Sequence, residues 1–115
     1  MKRRFEVIFL EEVWIFFDEV DEKAKDKIIY NIEKTKFINN PNLLKKLDNE
    51  IWEFRTRYQK LNYRLFAFWD KTDKVDKLVV ATHGIIKKTN KVSKKDLDKA
   101  RAIMDRYFKQ KNKED

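Results

Sequence analysis

The sequence predicts a small α+β domain with the element order β-α-α-β-β-β-α. An antiparallel sheet packs on helices with one face and leaves the other, basic face partly open. Three observations carry that expectation. Residues 51–58 alternate Ile51, Glu53, Arg55 and Arg57 with Trp52, Phe54, Thr56 and Tyr58. This period of two sends bulky apolar groups to one side of a strand and charge to the other. Two stretches ahead of it, and one behind a serine near the C-terminus, space their apolar residues three and four apart, as one face of a helix does.

Taken in order, residues 3–9 alternate Phe5, Val7 and Phe9 with Arg4, Glu6 and Ile8 and read as a first strand. Leu10, Val13, Trp14, Phe17 and Val20 form a helical stripe, broken between Asp18 and Asp21. Asp21 is placed to cap a second helix reaching about Phe37, with Ala24, Ile28 and Ile32 inward and a Lys/Asp/Glu outer face. Two helices with so tight a joint predict a helical hairpin. Asn39-Asn40-Pro41-Asn42 is turn chemistry, and 43–49 reads as a connector pinned by Leu43, Leu44 and Leu47. A second strand at 62–69 follows residues 51–58 after only Gln59 and Lys60, so the pair predicts an antiparallel hairpin. Residues 77–82 supply the last strand, and Gly84, the only glycine, predicts a sharp turn or bulge at its end. Ser93 with Asp96 resembles a capping box opening a helix over 94–109, whose inner side holds Leu97, Ala100, Met104, Tyr107 and Phe108.

The 115 residues suit one domain, 1–109, burying roughly two-thirds of its unfolded surface, with 110–115 as a polar tail. Charged and hydrophobic residues each make up 42% of the chain, so its low hydropathy comes from a dense charged surface over a real core. The net charge of +8 favours a polyanionic partner, although such surfaces also occur without a nucleic-acid role. The absence of cysteine and the single histidine exclude disulfides, a thiol nucleophile and a multi-histidine metal site. No apolar run approaches membrane-spanning length and no secretory leader pattern opens the chain, so a cytoplasmic protein without a membrane partner is expected.

The strand Trp52-Glu53-Phe54-Arg55, the strand Tyr63-Arg64-Leu65-Phe66 and the block His83-Gly84-Ile85-Ile86-Lys87-Lys88-Thr89, which leads into a basic helix, carry a resemblance. In their order and spacing the chain resembles the RelE/ParE superfamily of type II toxins, in its HigB-like, phage-related Gp49-like branch. The resemblance implies a RelE-like fold and a ribosome-dependent mRNA interferase that cuts message in the ribosomal A site and arrests growth. It also implies a cognate helix-turn-helix antitoxin, with mRNA and ribosomal RNA as the other partners. Carried over by position, the implied basic set is Arg55, Arg57, Arg64, His83, Lys87 and Lys88. Glu53 stands where some relatives have a lysine, and Leu61-Asn62 replaces a glycine often found before the Tyr-Arg pair.

The residue types suit metal-independent RNA cleavage without a cofactor. Attack of a 2′-OH on the adjacent phosphate needs a proton acceptor, neutralisation of the phosphorane and a proton donor for the leaving oxygen. Arg64 and Arg55 suit the phosphate, because guanidinium binds its oxygens bidentately and stays charged. Arg64 can equally form a cross-strand ion pair with Glu53 or Asp70. His83 titrates near neutrality and is the candidate acid or base, or else a strand-end cap through a backbone hydrogen bond.

Arg57, Lys87, Lys88 and Lys91 are candidates for RNA phosphate. They belong with a local charge of +5 over residues 87–101 that otherwise reads as a solvated lysine-rich face. Tyr58 and Tyr63 can stack on a base or pack the sheet. Trp14, Phe16 and Phe17 read as core or as surface covered by an antitoxin. Two other readings stay open: a ParE-like inhibitor of DNA gyrase, and a non-catalytic RNA-binding domain.

Overall fold

The computed structural model describes residues 4–89 and 91–114, with the side chains of residues 78–83 and 114 outside that description. The elements are β1 (Glu6–Phe9), α1 (Glu11–Glu19), α2 (Glu22–Thr35), β2 (Leu44–Lys46), β3 (Trp52–Tyr58), β4 (Leu61–Asp70), β5 (Lys77–Lys87) and α3 (Lys94–Glu114). Three helices and the antiparallel strands β2–β5 give the expected α+β class. The sheet order is β1-β5-β4-β3-β2, and β1 joins β5 in parallel, with Val7 opposite Leu78. The sheet is therefore mixed rather than wholly antiparallel. After β1 the two helices carry the chain across one face to the far edge, and β5 returns last into the gap beside β1.

The expected connector at 43–49 contains the edge strand β2, where Leu44 lies opposite Phe54 and is buried. Lys45 and Lys46 stay exposed, and lysines on an edge strand discourage pairing with other chains. Asp21 caps α2 as its position predicts, its carboxylate accepting from the Ala24 N–H at 3.2 Å. Ser93 accepts from the Asp96 N–H at 3.2 Å and donates to the Asp96 carboxylate at 2.7 Å, which starts α3. Gln59 and Lys60 join β3 to β4 in two residues, with φ of 49° and 68°. Positive φ at both positions is the mark of a type I′ turn, whose twist matches the strands it links.

Helices pack on both faces of this sheet, and α3 covers much of the second face, which was expected to be partly open. Residues 62–68 of β4 are all buried, and their side chains alternate between two cores. Tyr63, Leu65 and Ala67 pack with Val13, Phe17, Ile28 and Ile32 of α1 and α2. Phe66 and Phe68 pack with Ala100, Ile103 and Met104 of α3. Only the hairpin end of the second face, toward β3, is left open.

β5 also differs from expectation, running on to Lys87 instead of stopping near Thr82. Leu65 pairs with Gly84 and Ala67 with Val80, so the ladder is irregular between them, as the glycine suggested. Gly84 lies within the strand. A Cβ there would stand 2.2 Å from a ring carbon of Phe16, so this position must be glycine for α1 to pack on β5.

α3 continues through Glu114 and takes in most of the predicted tail. Its last turns dock on Asp70, a fully buried carboxylate that accepts from Tyr107 Oη at 2.6 Å, Lys111 Nζ at 2.7 Å, and Thr72 N and Oγ1 at 3.0 and 2.6 Å. Burial alone would raise the Asp70 pKa, but the hydrogen bonds from Lys111, Thr72 and Tyr107 outweigh it and hold the carboxyl well below its usual range. Burial and the bond to Asp70 push the Tyr107 hydroxyl up to about 12.

Two outcomes follow for stability. Because the native Asp70 binds its proton more weakly than an unfolded aspartate of pKa about 3.9, its contribution is complete above that pH and drains away as pH falls below it. Asp70→Asn should remove about 1–3 kcal/mol at neutral pH and flatten the acid limb of urea-denaturation stability. Gly84→Ala should cost about 1–3 kcal/mol in the same assay, with part recovered by Phe16→Leu in the double variant.

Candidate functional site

The two-sided cover runs out at the hairpin end of β3 and β4, where second-face positions change from phenylalanine to polar and charged residues. Arg55 lies directly opposite Arg64, and Arg57 opposite Asn62, which itself pairs with Lys87 of β5. Two guanidinium groups facing each other across strands repel. Glu53, two residues before Arg55 on the same face of β3, relieves that repulsion. Its Oε1 stands 3.4 Å from Arg55 Nε and 3.5 Å from Arg64 Nε. Of the two pairings open to Arg64 from the sequence, the structure contains the one with Glu53, while Asp70 pairs with Lys111.

This cluster is deeply buried: Glu53 is 2% exposed and Arg64 3%. Among the described residues, buried Glu53 Oε2 finds no hydrogen-bond partner. Burial raises the Glu53 pKa above its ordinary value, more than the opposing fields of Arg64, Arg55 and Lys45 lower it. Burial likewise lowers the pKa of Arg64, against the pull of Glu53. Both shifts run against the charged forms, with burial the first cause of each and the attraction within the pair opposing it.

Arg55, Arg57 and Arg64 line one cleft of about 480 Å³, together with Asn62 and Thr56. α2, which packs on the other face of β3, contributes Lys27, Asn31 and Lys34 to the lining where the cleft passes the edge of that strand. Asn31 Nδ2 donates to Thr56 Oγ1 at 3.1 Å in a buried bond that ties this helix to β3. Among the described residues five cationic side chains line the cleft and no carboxylate does, so its chemistry suits an extended anion.

The remaining sequence candidates are dispersed. Lys87 shares the arginine face, but its ammonium donates to the Lys91 carbonyl at 2.7 Å and stands 3.6 Å from Asp96, anchoring the loop before α3. Lys88 and Lys91 are exposed beyond the end of β5. Tyr58 is half-buried on the α2 side of the hairpin, the face opposite the arginines, and Tyr63 is buried in the first core. Burial raises the Tyr63 pKa and removes its ring from reach of a base. Phe16 and Phe17 are core, whereas Trp14 is exposed. His83 lies in β5 next to Gly84, and its side chain is outside the described residues. Among the described residues no group of three His, Cys, Asp or Glu side chains comes together to hold a metal, and no helix is long and apolar enough to cross a membrane.

Sequence reasoning missed Glu53 as the centre of the arginine pair and the whole α2 part of the lining. The signal for that part was present, since Lys27, Asn31 and Lys34 stand at i, i+4 and i+7 on one helical stripe.

With this geometry in place, the model of the family described as phage derived protein Gp49-like matches residues 15–105. That is most of the chain. The chain belongs to the Gp49-like family. Gp49-like proteins are known as RelE-like toxins, and membership is consistent with the toxin of a toxin–antitoxin pair and suggests an antitoxin partner. No curated protein and no solved structure gives a significant match. The Gp49-like match takes in α2, the β3–β4 hairpin and most of α3, and so the whole arginine cleft.

The charge cluster of this Gp49-like chain makes a specific stability prediction. Glu53→Gln should destabilise the fold by about 3 kcal/mol by leaving a buried guanidinium uncompensated, whereas the double variant Glu53→Leu/Arg64→Leu should restore wild-type stability or exceed it. Urea denaturation of the three proteins decides this. A double variant less stable than wild type would mean that the pair is net stabilising.

Proposed function

We propose that this chain is the toxin of a type II toxin–antitoxin module and acts as a metal-independent, ribosome-dependent mRNA endoribonuclease that arrests translation and growth. The observation that carries the reading is the Arg55–Arg64 pair, set beside a buried carboxylate on a cationic cleft, an arrangement that costs desolvation. Proteins commonly tolerate such a cost where function needs it. Membership of the Gp49-like toxins supports the same reading.

In the reaction, the 2′ oxygen of one nucleotide attacks the adjacent phosphorus. A P–O2′ bond forms, the P–O5′ bond breaks, and a 2′,3′-cyclic phosphate and a 5′-hydroxyl result. The proton of the 2′-OH passes to a base, and the departing 5′ oxygen takes one from an acid. Arg64 and Arg55 bind the non-bridging oxygens and neutralise the charge that grows on them in the transition state. Glu53 fixes both arginines before substrate arrives, so little reorganisation accompanies the chemistry. His83 is assigned the proton transfers. Arg57, Lys88 and Lys91 hold flanking phosphates or ribosomal RNA, and Lys87 acts chiefly by fixing the loop before α3. A helix-turn-helix antitoxin is the protein partner, and the cytoplasm is the site of action.

Mapping of mRNA 5′ ends after inducing the chain without its antitoxin tests this. Wild type should produce new ends inside translated frames. Arg64→Ala and Arg55→Ala should each reduce them by roughly 10²–10³-fold, as for loss of one oxyanion donor, and His83→Ala should also reduce them. Growth arrest with intact message would overturn the nuclease in favour of a protein target such as gyrase.

A further inference from the structure

We propose that the α2 face carrying Lys27, Tyr30 and Lys34 binds single-stranded RNA flanking the phosphate held by Arg55 and Arg64. This inference rests on the RNA reading of the cleft and extends it to a surface outside the sheet.

Lys27, Tyr30, Asn31 and Lys34 stand at i, i+3, i+4 and i+7 of α2 and so share one face, about 10 Å long at 1.5 Å per residue. Tyr30 is 60% exposed, an unusual position for a large aromatic residue. The ammonium groups of Lys27 and Lys34 lie 6.0 and 5.7 Å from the centroid of its ring, so a cation flanks the ring on either side along the helix. Lys27 and Lys34 also line the cleft that holds the arginines.

The stripe is fixed relative to β3. Asn31, between the two lysines, is hydrogen-bonded to Thr56, which lies between Arg55 and Arg57. Thr56 faces α2 while Arg55 and Arg57 point to the other face of β3, so the cations of α2 and β3 meet only where one cleft passes the edge of that strand. An exposed aromatic ring set among cations is what an unpaired nucleic acid strand uses, stacking a base on the ring while its phosphates meet the ammonium groups. Among the described residues that line the cleft none is a carboxylate, and Glu53, the one that pairs with Arg55 and Arg64, is buried behind them.

The experiment measures equilibrium binding of an unstructured 2′-O-methyl oligoribonucleotide, which has no 2′-OH to react, by fluorescence anisotropy across a salt series. Wild type, Tyr30→Ala and Lys27→Ala/Lys34→Ala are compared as full chains. Tyr30 and Lys34 are exposed and Lys27 projects from the same outer stripe, so circular dichroism should show all three proteins folded alike. Tyr30→Ala should weaken binding roughly 5- to 100-fold, the range for loss of one stacked base. The lysine variant should lower the slope of log affinity against log salt by about 1.4, two single-strand phosphate contacts.

Affinity and slope unchanged in both variants would overturn the proposal, as would failure of the wild type to bind. Unchanged RNA binding with weakened binding of the purified antitoxin would overturn it too, by giving the surface to a protein. Variant-sensitive RNA binding in a chain that makes no new mRNA ends would end the nuclease reading and leave this surface standing. Normal cleavage with variants that bind as wild type would do the reverse.

Discussion

β4 is buried on both faces, and the rest of the structure is arranged around that constraint. A strand covered on both sides must supply two cores from alternate residues, so Tyr63, Leu65 and Ala67 serve α1 and α2 while Phe66 and Phe68 serve α3. Helical cover on the second face extends only as far as apolar residues are there to meet it. At Arg64 and Asn62 they stop, α3 has passed toward β5, and the sheet opens at the β3 edge. The cleft is the place where the second core ends.

Two buried carboxylates show how differently this fold treats charge. Asp70 receives donors from Tyr107, Lys111 and Thr72, and those bonds overcome the penalty of its burial, so it anchors the end of α3. Glu53 has two guanidinium groups at ion-pair distance and one oxygen without a hydrogen bond among the described residues, and burial dominates. The first arrangement stabilises. The second holds two like charges side by side at the edge of the cleft, with a carboxylate between them whose desolvation is only partly offset.

The local parts of this architecture were legible because they depend on residues near one another in sequence. The Asp21 cap, the Ser93–Asp96 cap, the stripe Ala24, Ile28, Ile32 and the two-residue hairpin are each set within a few positions. Arg55, Arg57 and Arg64 were legible as one group for the same reason, since a hairpin with so short a turn has only one register that keeps the apolar face together. Non-local pairing hid the rest. Nothing near Val7 announces that it will lie parallel to Leu78, and nothing in three residues around Leu44 distinguishes an edge strand from a connector. Lys111 looked like part of a polar tail because its partner, Asp70, is far away in the chain.

Local chain chemistry was enough to set the class of the fold, the caps, the hairpin with its arginine face, and a basic character suited to polyanions. These follow from periodicity, turn chemistry and charge, which act over a few residues. Long-range packing was needed for α3 to cover the second face, for Glu53 to sit between two arginines, and for Lys27 and Lys34 of α2 to share a cleft with Arg55 and Arg57. Those outcomes depend on which surfaces of distant segments meet, and packing of the whole chain alone sets that.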